Sequence, residues 1–161
     1  MVCLILRNVR EEDFTPIAEL AFRCPPMVTE RNSIYHIFTR FFSSTSFVAE
    51  EDGRITGFLL GFISQDDPHE AYIHLLCVSP HIRGRGVASR LLEVFTETVR
   101  QRGARVIYLI TKPVNQRAIR FYLKNGFRAV EEGETVDAGP VKAVADYNGP
   151  GEDMVVFRRL I

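Results

Sequence analysis

The chain reads as one α/β domain in which strands form a mixed layer with helices interspersed. Three adjoining features predict it: a strand-like apolar run, Ala71-Tyr72-Ile73-His74-Leu75-Leu76-Cys77-Val78; a glycine turn, Arg83-Gly84-Arg85-Gly86; and an amphipathic stretch with Val87, Leu91, Leu92, Phe95 and Val99 at helical spacing. At 161 residues the chain fits a single domain, and a domain of this size buries about 70% of its unfolded surface, enough for a substantial core.

The remaining elements follow in order. Leu4 to Val9 is a strand candidate, and Glu11-Glu12-Asp13 places acids ahead of a helix through Ile17, Leu20 and Ala21, which Cys24-Pro25-Pro26 ends. A second helix, Ser33 to Phe42, carries Ile34, Ile37, Phe38 and Phe41. Phe47 to Glu50 and Arg54 to Ile63 form a hairpin around Glu51-Asp52-Gly53, since Asp-Gly favours the positive φ of a short turn. Ser79-Pro80 closes the central strand because proline lacks the ladder donor. The helix after the glycine turn presents Arg90, Glu93, Glu97 and Arg100 on its outer face and stops at Gly103. Val106 to Thr111 reads as a strand, and after Phe127 the chain continues as a strand to about Val130. A polar segment from Glu131 to Gly151 precedes a last strand, Met154 to Leu160.

Composition narrows the function classes. Twenty basic and 20 acidic side chains give zero formal charge, so there is no electrostatic footprint for nucleic acid or an anionic membrane. No apolar run approaches the roughly 20 residues of a spanning helix, and the opening Met1-Val2-Cys3-Leu4-Ile5-Leu6 is too short and uncharged for a secretory leader. A cytoplasmic protein is expected. Cys3, Cys24 and Cys77 are odd in number and lack paired spacing, which argues against a disulfide framework or a zinc site; no metal is expected, and Cys77 reads as a small core residue.

The glycine turn carries the chemistry. The free N–H groups of a first helical turn and the positive end of the helix dipole favour an anion by about 0.3–1 kcal/mol per interaction when exposed. Arg83 and Arg85 add full charges, and the absence of a Cβ at Gly84 and Gly86 lets a diphosphate approach the main chain. A nucleoside-triphosphate loop is excluded, because it needs Lys-Ser or Lys-Thr after the last glycine and Val87-Ala88 stands there. A dinucleotide fingerprint fits poorly: Ser89 occupies the place of the third small residue, and Glu93 and Glu97 lie inside the helix.

The segment from Val78 to Ala88, with Arg83, Gly86 and Ala88 at the matching positions, resembles the acyl-coenzyme A signature of the GCN5-related N-acetyltransferases. Downstream, Asn115-Gln116-Arg117-Ala118-Ile119-Arg120-Phe121-Tyr122-Leu123-Lys124-Asn125-Gly126-Phe127 resembles that family's later motif, in which an asparagine opens a helix, a tyrosine lies near its end and Gly-Phe begins a strand. The resemblance implies a mixed, mostly antiparallel sheet of about seven strands, splayed between the fourth and fifth and flanked by about four helices. It implies acetyl-coenzyme A as co-substrate, its pantetheine arm against Leu76, Cys77 and Val78. Arg83, Gly84, Arg85, Gly86, Val87, Ala88 and Ser89 would hold the diphosphate, with Asn115, Ala118 and Phe121 on the facing helix.

Acetyl transfer needs a neutral amine, a polarised thioester carbonyl and a proton for the departing thiolate. Tyr122 is the general-acid candidate, its ordinary pKa of about 10 suiting donation to a thiolate whose thiol titrates at about 8–9. Strand alternation puts Tyr72, His74 and Leu76 on one face, toward the acceptor if the family geometry holds, and His74 is the candidate base, directly or through water. Some peptide N-terminal acetyltransferases carry a glutamate on the fifth strand at the position of Ile110, and this chain departs from them there. Asn32-Ser33-Ile34-Tyr35 with Phe41 to Glu50 resembles the diaminobutyrate acetyltransferases, which makes Tyr35 a substrate contact. Asp146 to Asp153 resembles the segment with which peptide N-terminal acetyltransferases grip a peptide backbone, which makes Tyr147 another. A small amine-bearing metabolite is the expected acceptor. A peptide N-terminus is the alternative, as is an inactive acyl-coenzyme A sensor, and a homodimer through the last strand is left open.

Overall fold

The Asp52-Gly53 dipeptide sets the first turn of the architecture. In the computed structural model, which describes residues 3–26 and 36–161, these two residues take φ of 49° and 73°, the pair of positive angles that a tight hairpin turn requires. In chain order the strands are β1 (Leu4–Asn8), β2 (Phe47–Glu51), β3 (Arg54–Ile63), β4 (Glu70–Val78), β5 (Val106–Thr111), β6 (Arg128–Val130), β7 (Thr135–Asp137), β8 (Lys142–Val144) and β9 (Val155–Leu160). Among the described residues the α-helices are α1 (Phe14–Ala21), α2 (Val87–Gln101) and α3 (Gln116–Lys124). Seven strands form one sheet of order β1-β2-β3-β4-β5-β9-β6, antiparallel except where β4 meets β5.

That parallel junction is short. β4 and β5 pair only through Glu70–Val106, Ala71–Ile107 and Tyr72–Tyr108; beyond this, β5 keeps β9 as its neighbour and β4 keeps β3. The sheet splays as the resemblance implies, and among the described residues the second edge of β4 from residue 73 to 78 has no strand partner. A bulge coincides with the opening. Leu60 faces Leu75 and Gly61 faces Ile73, so His74 is an extra residue in β4, and such an insertion bends and twists its strand.

The bulge also overturns the expected alternation. Ala71 and Ile73 pack in the core on the α2 side of the sheet, yet after the extra residue Leu76 and Val78 lie on that side while Leu75 and Cys77 join the α1 side. Tyr72 and His74 remain on the α1 side, in contact with Phe62 and Phe38. Tyr72 and His74 therefore share a face, and Leu76 is on the other.

Each face of the sheet carries a core. Val87, Leu91, Leu92, Phe95 and Val99 of α2, all buried, fill one side as the helical spacing predicts. The approach of α2 is tight: a Cβ on Gly61 would stand 2.5 Å from the Phe95 ring. Ile17, Ala18, Leu20 and Ala21 of α1 cover Phe58 and Leu60 on the other side. The entry to α1 is fixed by Arg7, whose guanidinium donates to both Asp13 oxygens at 2.7 and 2.9 Å and to Glu50 at 3.0 Å. Burial pushes the Asp13 carboxyl up, but the bonds from Arg7 and the Arg10 N–H prevail and hold it below the usual carboxylate range.

Three expectations are corrected. The helix expected from Ser33 to Phe42 begins outside the described residues, and the described part is a π-helical turn, Ile37–Phe41, in which Phe38 is buried while Ile37 and Phe41 are exposed. The polar segment between β6 and β9 holds the β7–β8 hairpin, too short for periodicity to reveal. Cys24 and Cys77 are joined as a disulfide across 53 residues of sequence, with Cα atoms 6.3 Å apart, leaving Cys3 exposed and free. Sequence spacing does not reveal this pair, because only folding brings the end of α1 against β4. Among the described residues no helix is long and apolar enough to cross a membrane. Thiol titration of the unfolded, unreduced protein is expected to find one reactive thiol, rising to three after treatment with a dithiol; three before reduction would refute the pairing.

Candidate active site

The turn after β4 is drawn back onto the strand it leaves. Arg83 Nε donates to the Val78 carbonyl at 3.2 Å, placing the glycines at the open end of the splay. Gly84 and Gly86 take φ of 81° and 77°, and a Cβ on either would meet nothing within 4 Å. Glycine is required here first by backbone conformation, since a side chain in the left-handed region costs about 1–2 kcal/mol. The space in front of the turn is open.

Gly86 is also the N-cap of α2. It offers no side-chain acceptor, and the first turn of α2 contains no acid. The N–H groups of Val87, Ala88 and Ser89 therefore have neither an intrahelical partner nor a capping side chain, and they border a cavity of about 1010 Å³. Leu76, Cys77 and Val78 line it from β4; Arg83, Gly84, Gly86, Val87, Ala88 and Ser89 close one end; Asn115, Ala118, Phe121 and Tyr122 line it from α3. Asn115 is at the same time the N-cap of α3, its Oδ1 accepting the Ala118 N–H at 3.2 Å. Of the residues expected to bind an acyl carrier, Arg85 does not line this cavity.

The structure adds lining residues that the sequence reading missed. Arg117 and Lys124 reach the cavity from α3, and Cys24, Pro25 and Pro26 reach it from the end of α1. Arg117 and Lys124 share a helical stripe with Phe121, a spacing visible in the sequence; the three residues beyond α1 carry no such signal. Burial lowers the Arg83 pKa, and the nearby charge of Arg117 lowers it further. Among the described residues neither guanidinium has a carboxylate partner, so two positive groups converge on a space that an anion would neutralise.

Tyr122, buried, lines the same cavity. Its ring is packed against Phe121, Phe127 and Phe157, with centroids 5.2, 5.3 and 5.8 Å away, and its hydroxyl makes no hydrogen bond to the described residues. Burial pushes its pKa well above the ordinary value, with a smaller push from Tyr72. Burial likewise raises Tyr72, with Tyr147 adding to it. The fold thus puts Tyr72 within electrostatic reach of Tyr122, and Tyr147 within reach of Tyr72. His74 stacks on Phe38 at 5.0 Å and 11°, within an aromatic cluster that includes Phe42, Phe62 and Tyr72. Tyr35 lies outside the described residues.

The acids around Tyr147 organise their own turn. Asp146 Oδ1 accepts the Gly151 N–H at 2.6 Å, Asp153 Oδ1 accepts the Asp146 N–H at 2.9 Å, and Lys112 pairs with Glu152 at 3.5 Å. Half-exposed Tyr147 is held on this loop. Among the described residues no cluster of histidine, cysteine or carboxylate side chains is spaced for a metal. Gly86→Ala is expected to lower the folding stability by about 1–2 kcal/mol, the left-handed penalty, read as a shift of the denaturant midpoint; an unchanged midpoint would contradict the requirement for glycine.

The comparisons agree with the geometry. Residues 11–127 match the model of the acetyltransferase (GNAT) family. An L-2,4-diaminobutyric acid acetyltransferase of Nocardia farcinica is 28% identical over 118 residues, covering 73% of this chain and 61% of that protein. The N-alpha-acetyltransferase 30 of Schizosaccharomyces pombe is 31% identical over 99 residues, covering 58% and 64%. The chain thus spans somewhat over half the length of these curated relatives. Ard1 from Thermoplasma volcanium superposes with a TM-score of 0.80 at 22% identity, over 98% of this chain and 97% of that one, a likeness of fold. With the family model spanning most of the sequence and the splayed sheet, glycine turn and tyrosine in place, the chain belongs to the acetyltransferase (GNAT) family.

Proposed function

We propose that this protein transfers the acetyl group of acetyl-coenzyme A to a primary amine, and that the acceptor is a small amine-bearing metabolite. One observation carries the reading: a single cavity is lined by the uncapped first turn of α2, the Arg83 and Arg117 guanidiniums, the edge of β4 at residues 76–78 and the buried Tyr122. The residues present fit the co-substrate. Arg83, Arg117 and the N–H groups of Val87, Ala88 and Ser89 would hold the diphosphate, and the open edge of β4 at Leu76, Cys77 and Val78 would hydrogen-bond the pantetheine arm as an added strand would.

The chain's own groups then have defined tasks. N–H groups on the β4 edge near Cys77 or Val78 polarise the thioester carbonyl. As the amine nitrogen bonds to the carbonyl carbon and the carbon–sulfur bond breaks, Tyr122 gives its proton to the departing sulfur. The amine loses a proton to His74, directly or through water, and Tyr122 is reprotonated from solvent. Ile110 supplies no carboxylate to share that work. The acceptor decides how much help is needed: freeing an α-amine of pKa about 8 at pH 7 costs about 1.4 kcal/mol, whereas an ε-amine near 10.4 costs about 4.6.

The resemblance to the diaminobutyrate enzymes and the Nocardia relative support a small acceptor. A peptide N-terminus is favoured by a different observation, the placing of Tyr147 beside Tyr72 on a loop that resembles a peptide grip. The test is thiol release from acetyl-coenzyme A with a panel of small diamines, amino acids and peptides, the products identified by mass spectrometry. Acetylation of small amines supports the reading, acetylation of peptides alone transfers the assignment to peptide N-termini, and binding without turnover of any amine makes the domain a sensor.

Tyr122→Phe is expected to lower kcat by about 10²–10⁴-fold with coenzyme A affinity unchanged; an undiminished kcat removes Tyr122 from the chemistry. The pH profile has a definite sign. Because burial raises the Tyr122 pKa, its proton is retained throughout the neutral and mildly alkaline range. The kcat/KM for the acceptor should rise about tenfold per pH unit until the amine is deprotonated and then stay level to about pH 10. A fall between pH 7 and 9 would contradict the assignment.

A further inference from the structure

Arg85 sits between the two left-handed glycines but turns away from the cavity they border. Its guanidinium meets Glu51, the last residue of β2: Nη1 donates to Oε2 at 3.3 Å and Nη2 lies 3.1 Å from Oε1. The Glu51 side chain is only 9% exposed, and among the described residues Arg85 is its one polar partner. A buried carboxylate is costly unless a cation compensates it. The contact joins segments 34 residues apart in sequence.

The glycine turn is thereby tied at two points. Arg83 Nε fastens it to the end of β4 through the Val78 carbonyl, and Arg85 fastens it to the end of β2. Without the second tie, Gly84 and Gly86 would have the conformational freedom of their residue type on both sides of Arg85. Ordering them would then be charged against ligand binding.

The geometry points to Glu51 as a positioning residue for acyl-carrier binding: it holds Arg85 as a clamp on the turn, so that the first-turn N–H groups of α2 and the Arg83 guanidinium are preset for the diphosphate. Arg85 on this account acts through its ion pair and is not itself a phosphate ligand. The inference rests on the assignment of the cavity to acetyl-coenzyme A.

A double-mutant cycle with Glu51→Gln and Arg85→Gln tests it, reading KM and kcat for acetyl-coenzyme A and the coenzyme A affinity by calorimetry. Glu51→Gln keeps the shape of the side chain, so the fold is spared. Each single variant is expected to raise KM about fivefold with kcat within about twofold of wild type, and the double variant to be no worse than either. Exchange of the pair, Glu51→Arg with Arg85→Glu, should recover at least half of the lost affinity. Wild-type affinity in Glu51→Gln, or additive losses in the double variant, would overturn the clamp, the second outcome making Arg85 a direct ligand. If wild-type protein binds no coenzyme A, the cavity assignment itself fails, a result distinct from either of these.

Discussion

The parting of β4 from β5 after three residue pairs is the constraint on which the rest of the molecule depends. A strand edge in the middle of a sheet normally has its N–H and C=O groups paired, because unpaired groups shielded from water cost free energy. Here the edge from residue 76 to 78 borders a cavity, and a ligand with a strand-like string of amides would satisfy it. The bulge at His74 bends β4 at the point of parting, and α2 and α3 form the flanks of the opening. Binding capacity is thus a consequence of incomplete sheet pairing.

Electrostatics give the opening a polarity. At one end lie the first turn of α2, free of acids and side-chain caps, and the guanidiniums of Arg83 and Arg117. Around Tyr122 the surroundings are aromatic and apolar, and burial, with a smaller push from Tyr72, raises its pKa. On the proposed function, a carrier with an anionic head and a neutral reactive tail would be oriented by this difference. On the clamp proposal, the Glu51–Arg85 pair commits one cation of the turn to rigidity and leaves Arg83 and Arg117 for charge.

Local chemistry in the sequence carried much of this. The Arg83 to Ala88 motif marks a turn whose φ angles only glycine adopts readily, the stripe from Val87 to Val99 describes the packed face of α2, and Asp52-Gly53 specifies its hairpin. The readings that failed depend on what lies opposite in space. Alternation placed Leu76 with Tyr72 and His74 because a bulge is defined by the partner strand, and no feature within β4 announces it. The Cys24–Cys77 pairing depends on the approach of α1 to β4, and the β7–β8 hairpin has strands of three residues each, too few to show a period. Arg117 and Lys124 were legible as a helical stripe and became meaningful only with Arg83 across the cavity.

Hydrogen exchange with and without coenzyme A tests the open edge most directly. If the sheet gap and the first turn of α2 are the binding surface, the amides of residues 76–78 and 87–89 exchange measurably more slowly in the complex, while those of β1 and α1 keep their rates. Protection elsewhere with none in these two segments would show that the gap is not where the carrier lies.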